Sequence, residues 1–346
     1  MSALERVAAG KVPAYICTRL FHPAGRLVGV HLERGVRAGL EGALTQAGLT
    51  SSGPLTFLPY RDSNGALSPL PGRNFTRDIY TLDAKRVRQA SLMVLPLDDL
   101  QIDSGVAFEL GLAWGLGVPT LTVLLNSVST QHLPSGTVLR LAPMLDALSD
   151  RVVDAGAFPL RGLRSDPPGY RAQVEGTLEA LAERVRGEVQ PLLTRSVVPR
   201  PAFSRKPGTV HLEFGVPDEG KRGLLDRVSQ LLTQEGWRVT RAQRWDADDA
   251  AGLHRGAQAD LAAACEAGVL LTLGDGADVD AEVAAVQGAR TATGGPTVLL
   301  RTTPLGLWDG PTYRSVCNLM LAHSATHVAS SVADAVTLVC VASPDA

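Results

Sequence analysis

Short, largely apolar runs alternate along this chain with longer stretches in which apolar residues recur every three or four positions. The first pattern predicts strands buried on both faces and the second predicts helices with one apolar stripe. In the first half the strand-like runs are 14–20, 55–59, 92–97 and 120–125. Around them, 34–48 carries Val36, Leu40 and Leu44 at helical spacing, with Leu49 in phase just past a closing Gly48. Residues 76–90 and 105–116 read as further helices, and 170–193 as an amphipathic helix with Val174, Leu178, Leu181 and Val185 on one face. The pattern then stops at SVVPRPAFSRKPG, 196–208, whose prolines and lack of period mark a linker. It resumes with strands at 210–214, 269–273 and 297–300 and helices at 220–236, 255–267 and 281–293. Strands alternating with helices predict an α/β protein with doubly wound parallel sheets, helices covering both faces.

The two halves repeat one another. ASLMVLPL at 90–97 parallels AGVLLTLG at 267–274, an offset of 177 residues. At that offset Asp83 falls on Asp260, Asp103 on Asp280, and GLAWGLGVPT on GARTATGGPT. Such agreement predicts one unit present twice: a first domain over 1–195, a linker at 196–207 and a second domain over 208–346. The two are expected to pack as an internal pseudo-dimer, so the chain would work as a monomer of that kind or as a homodimer of it.

Composition narrows the function. The 346 residues are 45% hydrophobic and 20% charged, the balance of a globular chain large enough for two cores. Net charge is −2, with no run of Lys or Arg, which argues against a nucleic-acid partner. No apolar run approaches the roughly 18 residues of a membrane span, and the first residues carry no hydrophobic leader, so a cytoplasmic location without a membrane partner is expected. Cys17, Cys265, Cys317 and Cys340 are scattered without a CxxC pair, and the histidines lack ligand spacing, so no metal is expected. No GxGxxG follows the first strand, which removes a dinucleotide-binding dehydrogenase.

The segment with the most chemistry is Asp103-Ser-Gly-Val-Ala-Phe-Glu109-Leu-Gly111, between a buried strand and a helix. Ligands of open α/β sheets bind beyond the carboxyl ends of strands. Two carboxylates there can divide labour, one as nucleophile and one as acid or electrostatic partner. The same pattern also suits an Asp that caps a helix and a Glu that serves its dipole.

This segment resembles the signature of the nucleoside 2-deoxyribosyltransferase family. Asp103, Gly105, Glu109-Leu110-Gly111, Ala113 and Gly117-Val118-Pro119 match its elements. Tyr15-Ile16-Cys17 followed by Phe21 resembles the opening strand, and Phe57-Leu58-Pro59-Tyr60-Arg61-Asp62 the loop on the base side. Asp83 matches the helix Asp that faces the nucleobase. The resemblance implies two flavodoxin-like domains and N-glycosidic chemistry on nucleosides or nucleotides. In it Glu109 is the nucleophile that forms a glycosyl-enzyme, Asp83 and Asp103 hold the base, and Tyr15 orients Glu109. Phe21, Arg61, Asp62 and Gly105 line the substrate, and no cofactor is needed. Transferase and hydrolase both remain open. Arg19 stands where the family has small residues, and could narrow the pocket or hold a 5′-phosphate as in nucleotide-hydrolysing relatives.

In the second half Val286 replaces Glu109, while Asp260 and Asp280 remain. The family's sugar-binding Asn, which comes from a neighbouring subunit, is missing from Ala142-Pro143-Met144 but present in Asn318-Leu319-Met320. The resemblance therefore implies one composite site with Glu109 from the first half and Asn318 from the second. The other function class is a nucleotide-binding or sensing module that has lost catalysis.

Overall fold

The computed structural model describes residues 3–10, 13–18, 23–62, 75–97, 103–125, 131–132, 138–139, 141–154, 167–194, 203–215, 219–243, 249–274, 281–302, 307–308, 314–315 and 318–342. Arg19, Phe21, Cys317 and Asp280 lie outside them. In chain order the first elements are α1 (Ala3–Ala8), β1 (Ala14–Ile16), α2 (Pro23–Gln46), β2 (Thr56–Phe57), α3 (Pro59–Asp62), α4 (Phe75–Arg88) and β3 (Met93–Leu97). Next come α5 (Ser104–Gly115), β4 (Thr120–Leu124), β5 (Gln131–His132), β6 (Val138–Leu139), α6 (Pro143–Leu148), β7 (Arg151–Asp154) and α7 (Pro167–Thr194). Then follow β8 (Lys206–Glu213), α8 (Glu219–Gln234), β9 (Arg238–Arg241), α9 (Ala250–Glu266), β10 (Ala267–Leu273) and α10 (Ala281–Thr293). The last are β11 (Thr297–Leu300), β12 (Leu307–Trp308), β13 (Arg314–Ser315), α11 (Leu319–Ser324), β14 (His327–Ala329) and α12 (Val332–Val341).

Two five-stranded parallel sheets with flanking helices result. The first runs β2-β1-β3-β4-β7 and the second β9-β8-β10-β11-β14. Counted within its own set, each sheet has the strand order 2-1-3-4-5, with a switch point between its first and third strands. The central strands β3 and β10 are buried throughout, as expected where helices cover both faces. Pro96 is tolerated in β3 because β1 ends opposite Val94, so no neighbour on that side needs its missing N–H. Gly48 after α2 and Gly236 after α8 have φ of 68° and 86°, the left-handed turn that ends a helix.

By its contacts the chain falls into two compact units. One comprises Met1–Ile102, Gly117–Thr130 and Ser149–Pro199; the other comprises Asp103–Leu116, Gln131–Leu148 and Arg200–Ala346. The sequence pattern places a single boundary at 196–207. The contacts instead group α5 and α6 with the C-terminal half, because α5 packs on α10 and α6 on α9. In the first unit, α2 and α7 pack face to face, and a Cβ on Gly35 would overlap the Ala182 carbonyl. In the second, a Cβ on Gly111 would overlap the Ala285 carbonyl, and one on Gly288 the Phe108 carbonyl. At Gly35, Gly111 and Gly288 the missing side chain lets the helix backbones approach closely.

Arg290 is fully buried in the second unit, donating to the Cys265 and Gly268 carbonyls at 2.7 and 2.9 Å. It ties the end of α9 to β10, and burial lowers its pKa to about 10. Among the described residues no helix is long and apolar enough to cross a membrane, and no cluster of three or more His, Cys, Asp or Glu has the geometry to hold a metal.

Candidate functional site

In the first unit the groups gather around β1, β2 and α4. The Tyr15 and Phe57 rings are neighbours in the parallel register and stack with centroids 5.6 Å apart. The Arg86 guanidinium covers Phe57 at 4.7 Å, a cation–π contact. The sequence reading passed over Arg86 because it stands among Lys85 and Arg88 as an ordinary basic end of a helix.

Asp83, one turn earlier on α4, is 2% exposed. Its Oδ1 has no hydrogen-bond partner among the described residues, an uncommon state for a buried carboxyl. Burial disfavours the charged form and pushes its pKa up from 3.8 to about 7. Near neutral pH this carboxyl is therefore able to carry a proton, and to give it up.

Arg61 and Asp62 are committed to each other. Arg61 bonds Glu33 at 2.9 Å and Asp62 at 2.8 Å, and Asp62 Oδ2 accepts the Leu58 N–H at 2.8 Å. The hydrogen bond to Asp62 raises the Arg61 pKa. Burial pushes Asp62 up, but the bonds from Arg61 and the Leu58 N–H outweigh it and hold the carboxyl below its usual range. The pair fixes the turn after β2.

In the second unit Asp103 caps α5. Its Oδ1 accepts the Gly105 and Val106 N–H groups at 2.7 and 3.2 Å. Glu109 lies inside the same helix and is 6% exposed, a deeper position than an exposed first-turn Glu. Asn318 caps α11, its Oδ1 accepting the Met320 N–H at 2.9 Å. Its Nδ2 lies 3.3 Å from where a Cβ on Gly105 would stand. Asp103, Gly105 and Asn318 thus meet at the N-terminus of the helix that carries Glu109, although Asn318 is more than 200 residues away in sequence. Both plain roles that the sequence left open, helix caps at Asp103 and Asn318, are real, and the Asn318 amide group still faces Gly105.

The second-half counterparts differ. Asp260 is 3% exposed, but its Oδ1 accepts the Gln243 N–H at 2.8 Å. Val286, in the place of Glu109, is fully buried. His211 stands in β8 opposite Leu270 as Tyr15 stands in β1 opposite Met93, and meets the Thr240 hydroxyl at 3.0 Å. The offset changes before β8, which hid this correspondence from the sequence reading.

Parallel sheets with helices on their faces and buried acids on those helices place the chain among α/β proteins. Within that class, residues 24–171 match the family model of nucleoside 2-deoxyribosyltransferase. The matched span contains Asp83, Asp103, Gly105 and Glu109. No curated protein matches the chain. A solved structure of E. coli heptosyltransferase WaaC with ADP-2-deoxy-2-fluoro heptose is similar at 10% identity, covering 94% of this chain and 98% of that one, with a TM-score of 0.23.

Proposed function

We propose that this chain cleaves the N-glycosidic bond of a 2′-deoxynucleoside or its 5′-monophosphate through a covalent intermediate on Glu109. The Glu109 carboxylate attacks the anomeric carbon as the bond to the base breaks. The transition state is oxocarbenium-like, and an adjacent anion stabilises it. The departing base takes a proton from Asp83, so it leaves neutral. A second base or water then attacks the same carbon and restores the free carboxylate. Tyr15 orients Glu109, Asp103 borders the base, and the Asn318 amide holds a sugar hydroxyl.

The observation that carries this reading is Asp83, a buried carboxyl within the family-matched span whose Oδ1 has no partner among the described residues; burial pushes its pKa up to about 7. A general acid works best when its pKa lies near the working pH. The identical strand order of the two sheets, and elements recurring at nearly constant spacing, support a duplicated ancestor whose second copy gave up chemistry.

The test is incubation with deoxynucleosides and deoxynucleoside monophosphates, with and without an acceptor base, followed by separation of products. Free base is the expected product. A new nucleoside in the presence of acceptor marks a transferase, and free sugar alone marks a hydrolase. Binding without turnover of any of these substrates would overturn the reading and leave a sensing module.

A further inference from the structure

The contact of α5 with α10 is nearly symmetric within itself. Gly111 faces Ala285 and Gly288 faces Phe108, and the 177-residue offset exchanges these two pairs. A contact of this kind has two corresponding ends, as at an isologous interface. At one end stand Gly105, in the first turn of α5, and Asn318, which caps α11. At the other, the same offset puts Glu282, in the first turn of α10, in the place of Gly105. One residue closer, at an offset of 176 that aligns Ala-Pro-Met with Asn-Leu-Met, Ala142, just before α6, takes the place of Asn318, and Met144 that of Met320.

The two ends have opposite fillings. At the first, Asn318 accepts the Met320 N–H with its own oxygen, and Gly105 adds no side chain beside the amide. At the second, Ala142 has no side chain able to cap α6. The carboxylate of Glu282 reaches across instead, and its Oε1 accepts the Met144 N–H at 2.8 Å. Glu282 is 2% exposed. It stands in for the missing Asn, satisfying an N–H that would otherwise be orphaned.

We infer that Glu282 seals the second end of the α5–α10 contact from within, so that the chain offers one nucleoside place, beside Gly105 and Asn318, and none at its counterpart. The inference rests on the preceding reading that the Gly105–Asn318 end receives the sugar. Two further residues of that second end are also withdrawn from ligand binding. Asp260 is bonded to the Gln243 N–H, whereas Oδ1 of its counterpart Asp83 has no partner among the described residues. Val286 is fully buried where Glu109 would attack.

Two measurements on the full chain test this. The first is a cycle of urea unfolding midpoints. Glu282→Gly is expected to lower the midpoint, because the Met144 N–H loses its acceptor. Ala142→Asn is expected to raise it again in the Glu282→Gly chain, where the new amide takes over the cap, and to lower it in the wild type, where Glu282 occupies that place. The same effect of Ala142→Asn in both backgrounds would overturn the exchange. The second is equilibrium dialysis of deoxyadenosine and of deoxyguanosine against Glu109→Gln, which prevents turnover. One nucleoside bound per chain is expected, and two per chain would overturn the sealed end. No binding at all would count against the nucleoside reading, while the unfolding cycle still decides the role of Glu282.

Discussion

Asp83 and Asn318 show what individual side chains contribute. In the folded chain Asp83 favours its protonated form, with a pKa near 7 against 3.8 for a free carboxyl. The stability this adds is whole below about pH 4 and is lost as pH rises through 7. Urea unfolding at a series of pH values should show wild type losing stability relative to Asp83→Asn across that window, with a slope of at most about 1.4 kcal/mol per pH unit. Base release by the wild type should fall over the same upper limb, since the general acid is then ionised. Asn318 has two roles that one substitution can separate. Asn318→Asp keeps an oxygen for the Met320 N–H, so stability should hold within about 0.5 kcal/mol. It removes both amide donors, and kcat/KM should drop by an amount equivalent to roughly 1–3 kcal/mol. Asn318→Ala should add a loss of about 0.5–2 kcal/mol in unfolding free energy, because the cap goes too. The types and positions of these residues were legible in the sequence. Whether Asp103 and Asn318 were caps or ligand groups was not, because cap and ligand oxygens are drawn from the same residue types.

At the level of elements, glycine decides which helices touch. Gly111 lies where α5 meets α10, and a Cβ there overlaps the Ala285 carbonyl, which is backbone and unable to rotate away. Gly111→Ala should destabilise the chain, because overpacking costs roughly 1–3 kcal/mol and outweighs the better helix propensity of Ala, about 1 kcal/mol. Gly42, on the exposed side of α2, has nothing within 4 Å of its Cβ position. Gly42→Ala should therefore stabilise by about 0.5–1 kcal/mol. Unfolding midpoints of the two variants moving in opposite directions would bear this out. The sequence pattern found α10 and β11 with their observed ends, since both are buried and regular. It started α2 at 34 where the helix begins at Pro23, because Gly25, Gly29 and Gly35 look like breaks. Gly35 is there for the close approach of α7. The edge strands β7 and β14 escaped because they are short and half exposed, and so lack a buried run. The helix α12 escaped because its apolar residues form no single stripe.

For the whole molecule, the similarity of the two halves at one offset is readable because buried strands and the turns after them tolerate little change in length. The two sheets share one strand order. The grouping of α5 and α6 with the C-terminal half was not readable, because helix faces of Gly and Ala carry no periodic signal of their partner. On the proposed reading the two halves differ: the first keeps Asp83 and Glu109, the second supplies Asn318, and Glu282 is structural. The most direct test is the rate of free-base release from a 2′-deoxynucleoside by wild type, Glu109→Gln and Glu282→Gln, each shown to be folded. Glu109→Gln should lose on the order of 10³-fold or more, as removal of a nucleophile does. Glu282→Gln should stay near wild type, since its amide oxygen still accepts the Met144 N–H. Release by Glu109→Gln at the wild-type rate, or its collapse in Glu282→Gln alone, would contradict the assignment of the nucleophile to the first half.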